Sequence, residues 1–455
     1  MRSKLLTTVF AILIMIFGGI GCQPDGAYKA NTQNPEVLTM CMKRLTEIII
    51  YDIFSPPVAS RIYGYSSIAA YEVLRQEHPE YLTLAGQIHG FQPVPAPDTT
   101  KEICYPLAAV HALIQTADKM VFSKDKVLEF QEEMYNYYRD RGVPENVFKN
   151  SIEYGDQVSS HVVAYSGGDN YKQTRTFPRY TVNEDPKRWT PTPPDYMDAI
   201  EPHWNKIRTF ILDSATQYAP EPPTSFDLDK SSKFYEEMME VYNVGINLTP
   251  EQKAIAEFWD CNPFVTHHQG HVMFATKKIT PGGHWIGITG IACKTAGLDI
   301  MGTAEAYAHT SIALFDGFIS CWDEKFRSNL VRPETVINQN VDEEWRPLLQ
   351  TPPFPEYTSG HSVISSAAAI ALTDLFGEPF PFVDSTEVDY GLPVRSFNSF
   401  IEASEEAAIS RLYGGIHYRP ACMIGVEQGR KVGRYVVAHL KTREDMESKA
   451  TAAHP

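Results

Sequence analysis

Past residue 17 the sequence lacks any apolar run long enough for a transmembrane helix. Positive charge is scarce: 40 Lys and Arg stand against 56 Asp and Glu, a formal net charge of -16. Nucleic acid and anionic membrane surfaces are therefore excluded as natural partners, and any anion site must be a local concentration of cations. Cysteine is sparse, at seven residues, and its spacings show no metal-type pairing. There is no convincing run of alternating strands and no visible internal repeat. What is present is apolar and aromatic mass. Hydrophobic residues make up 43% of 455, and aromatics 12%, enough to bury a large core and to exclude wholesale disorder.

The N-terminus reads MRSKLLTTVFAILIMIFGGIGC. Arg2 and Lys4 precede the apolar run 5–17, and small residues follow, the pattern of an export signal. Cys22 after Gly-Ile-Gly resembles a bacterial lipoprotein processing site, although Gly19 stands where such sites usually carry Leu. The expected organisation is a signal over 1–22, a flexible linker over 23–35 and a folded domain over 36–455. The expected location is the periplasm, the outer membrane through a lipid on Cys22, or the medium. Six cysteines remain: Cys41, Cys104, Cys261, Cys293, Cys321 and Cys422. An even number permits disulfides in an exported protein, and buried thiols equally.

Helical periodicity dominates the rest. Residues 40–54, 58–74, 104–122, 127–139 and 147–165 each place apolar side chains three or four apart. The stretch 167–230 is dense in proline, which opposes regular helix, yet carries Tyr180, Trp189, Tyr196 and Trp204. It reads as a packed connector. Thr249-Pro250-Glu251-Gln252 is a helix start with a capping box. Further helices are expected over 286–321 (one or two), 361–376, 397–412 and 420–440. The fold class is all-α: two packed helical bundles joined by a proline-rich connector.

Three segments carry chemistry. Lys325 and Arg332-Pro333 stand seven apart, about two helical turns, so they can share a face. A solvated basic face is the usual fate of such a pair. Phe354-Pro-Glu-Tyr-Thr-Ser359-Gly360-His361 opens a small-residue helix. Free amides and the positive dipole end there make an anion site, which Gly360 lets an oxyanion approach; a plain Ser359 cap is the equal alternative. Ser410-Arg411, with His417 six residues later, spans a helix break near Gly414-Gly415. His417 can point into a cavity there, and the Arg411 fork suits a tetrahedral oxyanion.

The order and spacing of the three resemble the signature of the vanadium-dependent haloperoxidases and of their relatives, the type 2 phosphatidic acid phosphatases. That signature runs Lys, six residues, Arg-Pro; Pro-Ser-Gly-His; Ser-Arg, five residues, His. Thr358 replaces the signature Pro, and the Asp that often follows the last His is missing from Tyr418-Arg419-Pro420-Ala421. Phe258-Trp259-Asp260 and Pro281-Gly-Gly-His284-Trp285 also look like bacterial haloperoxidases, so the resemblance covers most of the chain.

The resemblance implies a vanadate cofactor in the second bundle. His417 would be the ligand to vanadium. Lys325, Arg332, Ser359, the Gly360 N–H and Arg411 would hold the oxygens, and His361 would be the acid/base. The co-substrates would be hydrogen peroxide and a halide, iodide or bromide. Trp322 and Phe354 match aromatics flanking vanadate in chlorinating members. The alternative at the same pocket is an exported acid phosphatase with a phosphohistidine intermediate on His417. Asp260 is a candidate carboxylate partner for Arg411. The run His267, His268, Gln269, Gly270, His271 reads as a wet loop before a metal site, and Asn247-Leu-Thr249 is uninformative.

Overall fold

Prolines and side-chain caps set the helix starts. The structure, a computed structural model, describes residues 26–263, 265–269 and 272–444. The export signal and Cys22 lie outside them. The N-terminal half contains α1 (Ala27–Asn31), α2 (Glu36–Tyr51), α3 (Pro56–Leu74), α4 (Tyr105–Asp118), α5 (Lys124–Asp140), α6 (Glu145–Ser166) and the single turn α7 (Tyr171–Thr174). Then come α8 (Lys233–Ile246), α9 (Pro250–Phe258), α10 (Pro281–Ala296), α11 (Ile300–Ser328), α12 (Pro333–Asn340), α13 (Gly360–Phe376), α14 (Phe400–Tyr413) and α15 (Arg419–His439). The capping box at Thr249 and Gln252 forms as the sequence predicts. The 286–321 stretch resolves into two helices, parted by Gly297 at φ 65° and restarted by Asp299, whose carboxylate accepts the Gly302 N–H.

α11 is the axis of the molecule. Its residues from Ile300 to Lys325 are buried all round, and α3, α10, α13 and α15 pack on it. α3 to α6 form the N-terminal bundle and lean on α11 through α3. One apolar core runs through both halves. α13 and α15 pack backbone against backbone. Gly425, Gly429 and Gly433 repeat every four residues along one face of α15. A Cβ on Gly429 would lie 2.1 Å from the Val363 carbonyl oxygen, so only glycine lets the two helices touch. That contact holds the N-terminus of α13 in place.

The connector over 167–230 is packed, as expected. Trp189 and Trp204 are buried, and the backbone N–H groups of Phe210, Ile211 and Leu212 all donate to Asp316 in the middle of α11, at 2.7–2.9 Å.

Three expectations need correction. There are strands: Val265–Gln269 pairs antiparallel with Val272–Thr276, and Phe382–Asp384 with Arg395–Phe397. Call them β1, β2, β3 and β4. They are too short, at three to five residues, to leave a period in the sequence. The supposed wet loop therefore holds His267 and His268 on β1, while Gly270 and His271 lie outside the described residues. Next, the linker over 23–35 is docked from Gly26 onward: Tyr28 is buried and donates to Glu102 at 2.9 Å. Of the two readings left open for the cysteines, buried thiols hold: Cys41, Cys104, Cys261, Cys293, Cys321 and Cys422 are all free and buried. They are small core residues, and no disulfide links them.

Candidate active site

The first segment breaks where the sequence suggested a continuous helix. α11 ends at Ser328, and Asn329 takes a left-handed φ of 50°. Arg332 thus caps α12 and does not share a helical face with Lys325. Both nevertheless reach one buried spot. Lys325 Nζ donates to the carbonyls of Pro355 (3.0 Å), Glu356 (3.1 Å) and Thr358 (2.6 Å), which ties down the strap leading into α13. Arg332 donates from Nε to the Phe354 carbonyl at 2.9 Å and from Nη1 to the Ile416 carbonyl at 2.8 Å. Burial pushes Lys325 down to about 8 and Arg332 down to about 10.

Ser359 is the N-cap of α13, with the Ser362 N–H 3.4 Å from its hydroxyl. Gly360 and His361 follow, half-buried at the mouth of the first turn, where amides have no partner inside the helix. His361 is hydrogen-bonded to the backbone of Trp259, and its Nε2 is buried without a partner. Burial, with the Arg411 guanidinium close by, holds its pKa well below the usual imidazole range.

α14 ends at Tyr413, Gly415 turns the chain at φ 77°, and α15 starts at Arg419. His417 sits in the break, as its sequence setting predicts. Arg411 donates from Nη2 to the carbonyls of Trp259 (2.6 Å) and Ala256 (3.3 Å). The expected Arg411–Asp260 contact does not form. Asp260 pairs with Lys278 at 2.5 Å, and acts on Arg411 only through its field.

Glu356 is the residue the sequence reading passed over. Its Oε1 accepts the His417 Nδ1–H at 2.8 Å and the Tyr418 N–H at 2.9 Å. It does the work of the missing Asp, from a different segment. Burial raises its pKa to about 7. The signal was in view: a lone carboxylate three residues before Ser359 in an otherwise apolar strap. With Nδ1–H committed to Glu356, the other nitrogen of His417, Nε2, keeps its lone pair, and Arg332 Nη1 lies 3.1 Å from it. Burial and the neighbouring cations hold His417 neutral, well below the usual range.

Lys325, Arg332 and Arg411 are thus three fully buried cations, with Glu356 as the adjacent carboxylate. Arg332 Nη2 and His361 Nε2 are buried with no hydrogen-bond partner among the described residues. Buried charge of one sign and orphaned polar atoms are costly without a counter-ion. A tetrahedral oxyanion, of the vanadate or phosphate kind, fits them. Above the site lies a cavity of about 290 Å³. Gly360, His361, Arg411 and His417 line its floor, and Trp322 and Phe354 stand in its wall with ring centroids 4.9 Å apart.

Comparison with known proteins agrees with this geometry. The family described as the VCPO second helical-bundle domain matches residues 305–445. The crystal structure of the first bacterial vanadium-dependent iodoperoxidase is similar at 52% identity and a TM-score of 0.86, over 90% of this chain and 98% of that one. Holo and apo structures of a bacterial vanadium-dependent chloroperoxidase align at 18% identity and a TM-score of 0.64. They cover 85% of this chain and 94% and 95% of theirs, and share the fold. No curated protein matches the chain.

Proposed function

The chain belongs to the vanadium-dependent haloperoxidase family, and we propose that it oxidises iodide, and bromide less readily, with hydrogen peroxide on a vanadate cofactor. The observation that carries this reading is the convergence of a neutral imidazole nitrogen, His417 Nε2, with three buried cations under an apolar wall. Iodide is the preferred halide because it is the easiest to oxidise, and because the relative at 52% identity is an iodoperoxidase. That relative also leaves the acid phosphatase alternative without support.

Bound vanadate supplies a Lewis acid that activates peroxide for attack by the halide. The chain's own residues do the rest. His417 would offer Nε2 as the protein ligand, in the tautomer set by Glu356. Lys325, Arg332 and Arg411, with the Ser359 hydroxyl and the Gly360 N–H, hold the oxygens. His361 Nε2, neutral and unpaired, takes a proton from hydrogen peroxide and returns it to the departing water. The overall balance is hydrogen peroxide, iodide and one proton giving hypoiodous acid and water. Trp322 and Phe354 keep bulk water from the wall where a polarisable halide approaches. At the N-terminus, export and lipidation of Cys22 complete the proposal; a Cys22→Ala chain that still incorporates labelled fatty acid would refute the anchor.

The test is direct. Strip the protein, add back vanadate or phosphate, and follow halide oxidation beside phosphoester hydrolysis. Iodide oxidation that depends on vanadate is expected. Vanadate-independent hydrolysis with no halide oxidation overturns the reading. His417→Ala should lose vanadate affinity, while His361→Ala should keep binding and lose turnover roughly 10²–10⁴-fold.

A further inference from the structure

Beside the oxyanion pocket lies a second cluster that the mechanism does not use. Cys261 follows α9, His284 sits in the first turn of α10, Asp384 ends β3, and Glu387 comes from the turn after it. All four are buried. Their donors converge: His284 Nδ1 is 3.1 Å from Glu387 Oε1 and 3.4 Å from Cys261 Sγ, and Sγ is 3.9 Å from Oε1. His284 Nε2 is 2.8 Å from Asp384 Oδ2, and Asp384 Oδ1 accepts the Thr386 N–H at 2.9 Å.

We propose that Cys261 Sγ, His284 Nδ1 and the Glu387 carboxylate form a divalent-metal site of the zinc class, which clasps three separate segments at the rim of the oxyanion pocket. A tetrahedral zinc with sulfur at about 2.3 Å and nitrogen and oxygen near 2.1 Å needs donor–donor edges of about 3.4–3.6 Å. The observed edges bracket those values. One thiolate, one imidazole and one carboxylate select zinc or cobalt over magnesium or calcium. Asp384 on the far nitrogen of His284 is the carboxylate that orients a metal-bound imidazole. Binding releases the Sγ proton and the proton on Nδ1 to solvent.

The fold is built to bring these groups close. A Cβ on Gly287, one turn after His284, would lie 2.7 Å from the Thr386 side chain, so glycine admits the turn that carries Glu387. The His284 ring stacks on Trp259, with centroids 4.5 Å apart, and the Trp259 carbonyl holds Arg411. The metal therefore braces the segment that positions Arg411 and His361. Cys261 also lines the cavity.

The site stands or falls apart from the identity of the neighbouring oxyanion. The full chain is purified without chelator, its metal is measured by mass spectrometry, and it is then stripped and reloaded with Zn²⁺ or Co²⁺. Stoichiometric zinc, a fall in Tm on stripping, and its recovery on reloading are expected. The cobalt form should show a thiolate-to-metal charge-transfer band that Cys261→Ser abolishes. Glu387→Gln should weaken zinc binding at least about tenfold. His417→Ala, whose lesion lies in the oxyanion pocket, should keep both metal and band. A wild-type chain with no zinc, no Tm response to either ion and no cobalt band overturns the proposal, as does an unchanged band in Cys261→Ser. Should a variant fail to fold by circular dichroism, the wild-type stripping and reloading decides alone.

Discussion

At the scale of single residues, Glu356 controls His417. It accepts two donors, the Nδ1–H and the Tyr418 N–H, inside a fully buried strap. Glu356→Leu removes the acceptor and orphans both donors, at about 1–3 kcal/mol each. A Tm well below wild type is expected, together with a roughly 10–100-fold loss of vanadate affinity, the usual scale for losing the partner of a metal-bound imidazole. Glu356→Gln keeps an oxygen for Nδ1–H and should lose less on both measures. Thermal melts and vanadate titrations of apo protein check the pair. If Glu356→Leu binds vanadate as wild type does, the carboxylate does not set the tautomer.

At the scale of elements, the contact between α13 and α15 decides where Ser359, Gly360 and His361 stand. Gly429→Ala would push a methyl into the Val363 carbonyl, 2.1 Å away, and the helices must part. Overpacking of this kind costs about 1–3 kcal/mol, and here it displaces the helix end that faces the oxyanion. Lower Tm and weaker vanadate binding should appear together. Gly317→Ala on α11 is the contrast. Its added Cβ meets Ile364 and Ala367 at 3.5–3.7 Å, ordinary van der Waals contact, and a helix-interior Gly→Ala change gains up to about 1 kcal/mol. It should leave stability unchanged or raised, with vanadate binding intact. Equal losses in both variants would show that the α13–α15 contact is not special.

At the scale of the whole molecule, the C-terminal segment joins the two halves. The Leu82 N–H donates to the Thr442 carbonyl at 2.8 Å, and the Thr442 hydroxyl donates to Glu305 on α11 at 2.6 Å. His309 Nε2 is 3.0 Å from the same hydroxyl. Glu305, Lys441 and Arg443 face His309, and burial, the largest influence, lowers its pKa from 6.5 to about 4. The folded state therefore disfavours the imidazolium. Stability from neutral His309 is full above pH 6.5 and is lost as pH falls towards about 4, a loss on the order of 3 kcal/mol. His309→Gln, which cannot titrate, should show a flatter fall in urea midpoint between those values. An unchanged slope would place the acid sensitivity elsewhere.

The helices and the three cationic segments are legible in the sequence, because periodicity, proline starts and glycine stops act over a few residues. Residue spacing alone also brings out Ser359 at a helix start and His417 in a break. The rest depends on contacts between distant segments. The left-handed turn at Asn329 takes Arg332 off the helix of Lys325, and only the fold returns the two to one site. Asp260 chooses Lys278 over Arg411. Glu356 reaches His417 across sixty-one residues, and no spacing rule links them. Cys261, His284 and Glu387 lack any metal-type spacing and still converge within hydrogen-bonding range. Local order is set by neighbours along the chain. Which groups share a buried, low-dielectric spot, and hence which are charged, neutral or orphaned, is decided by packing.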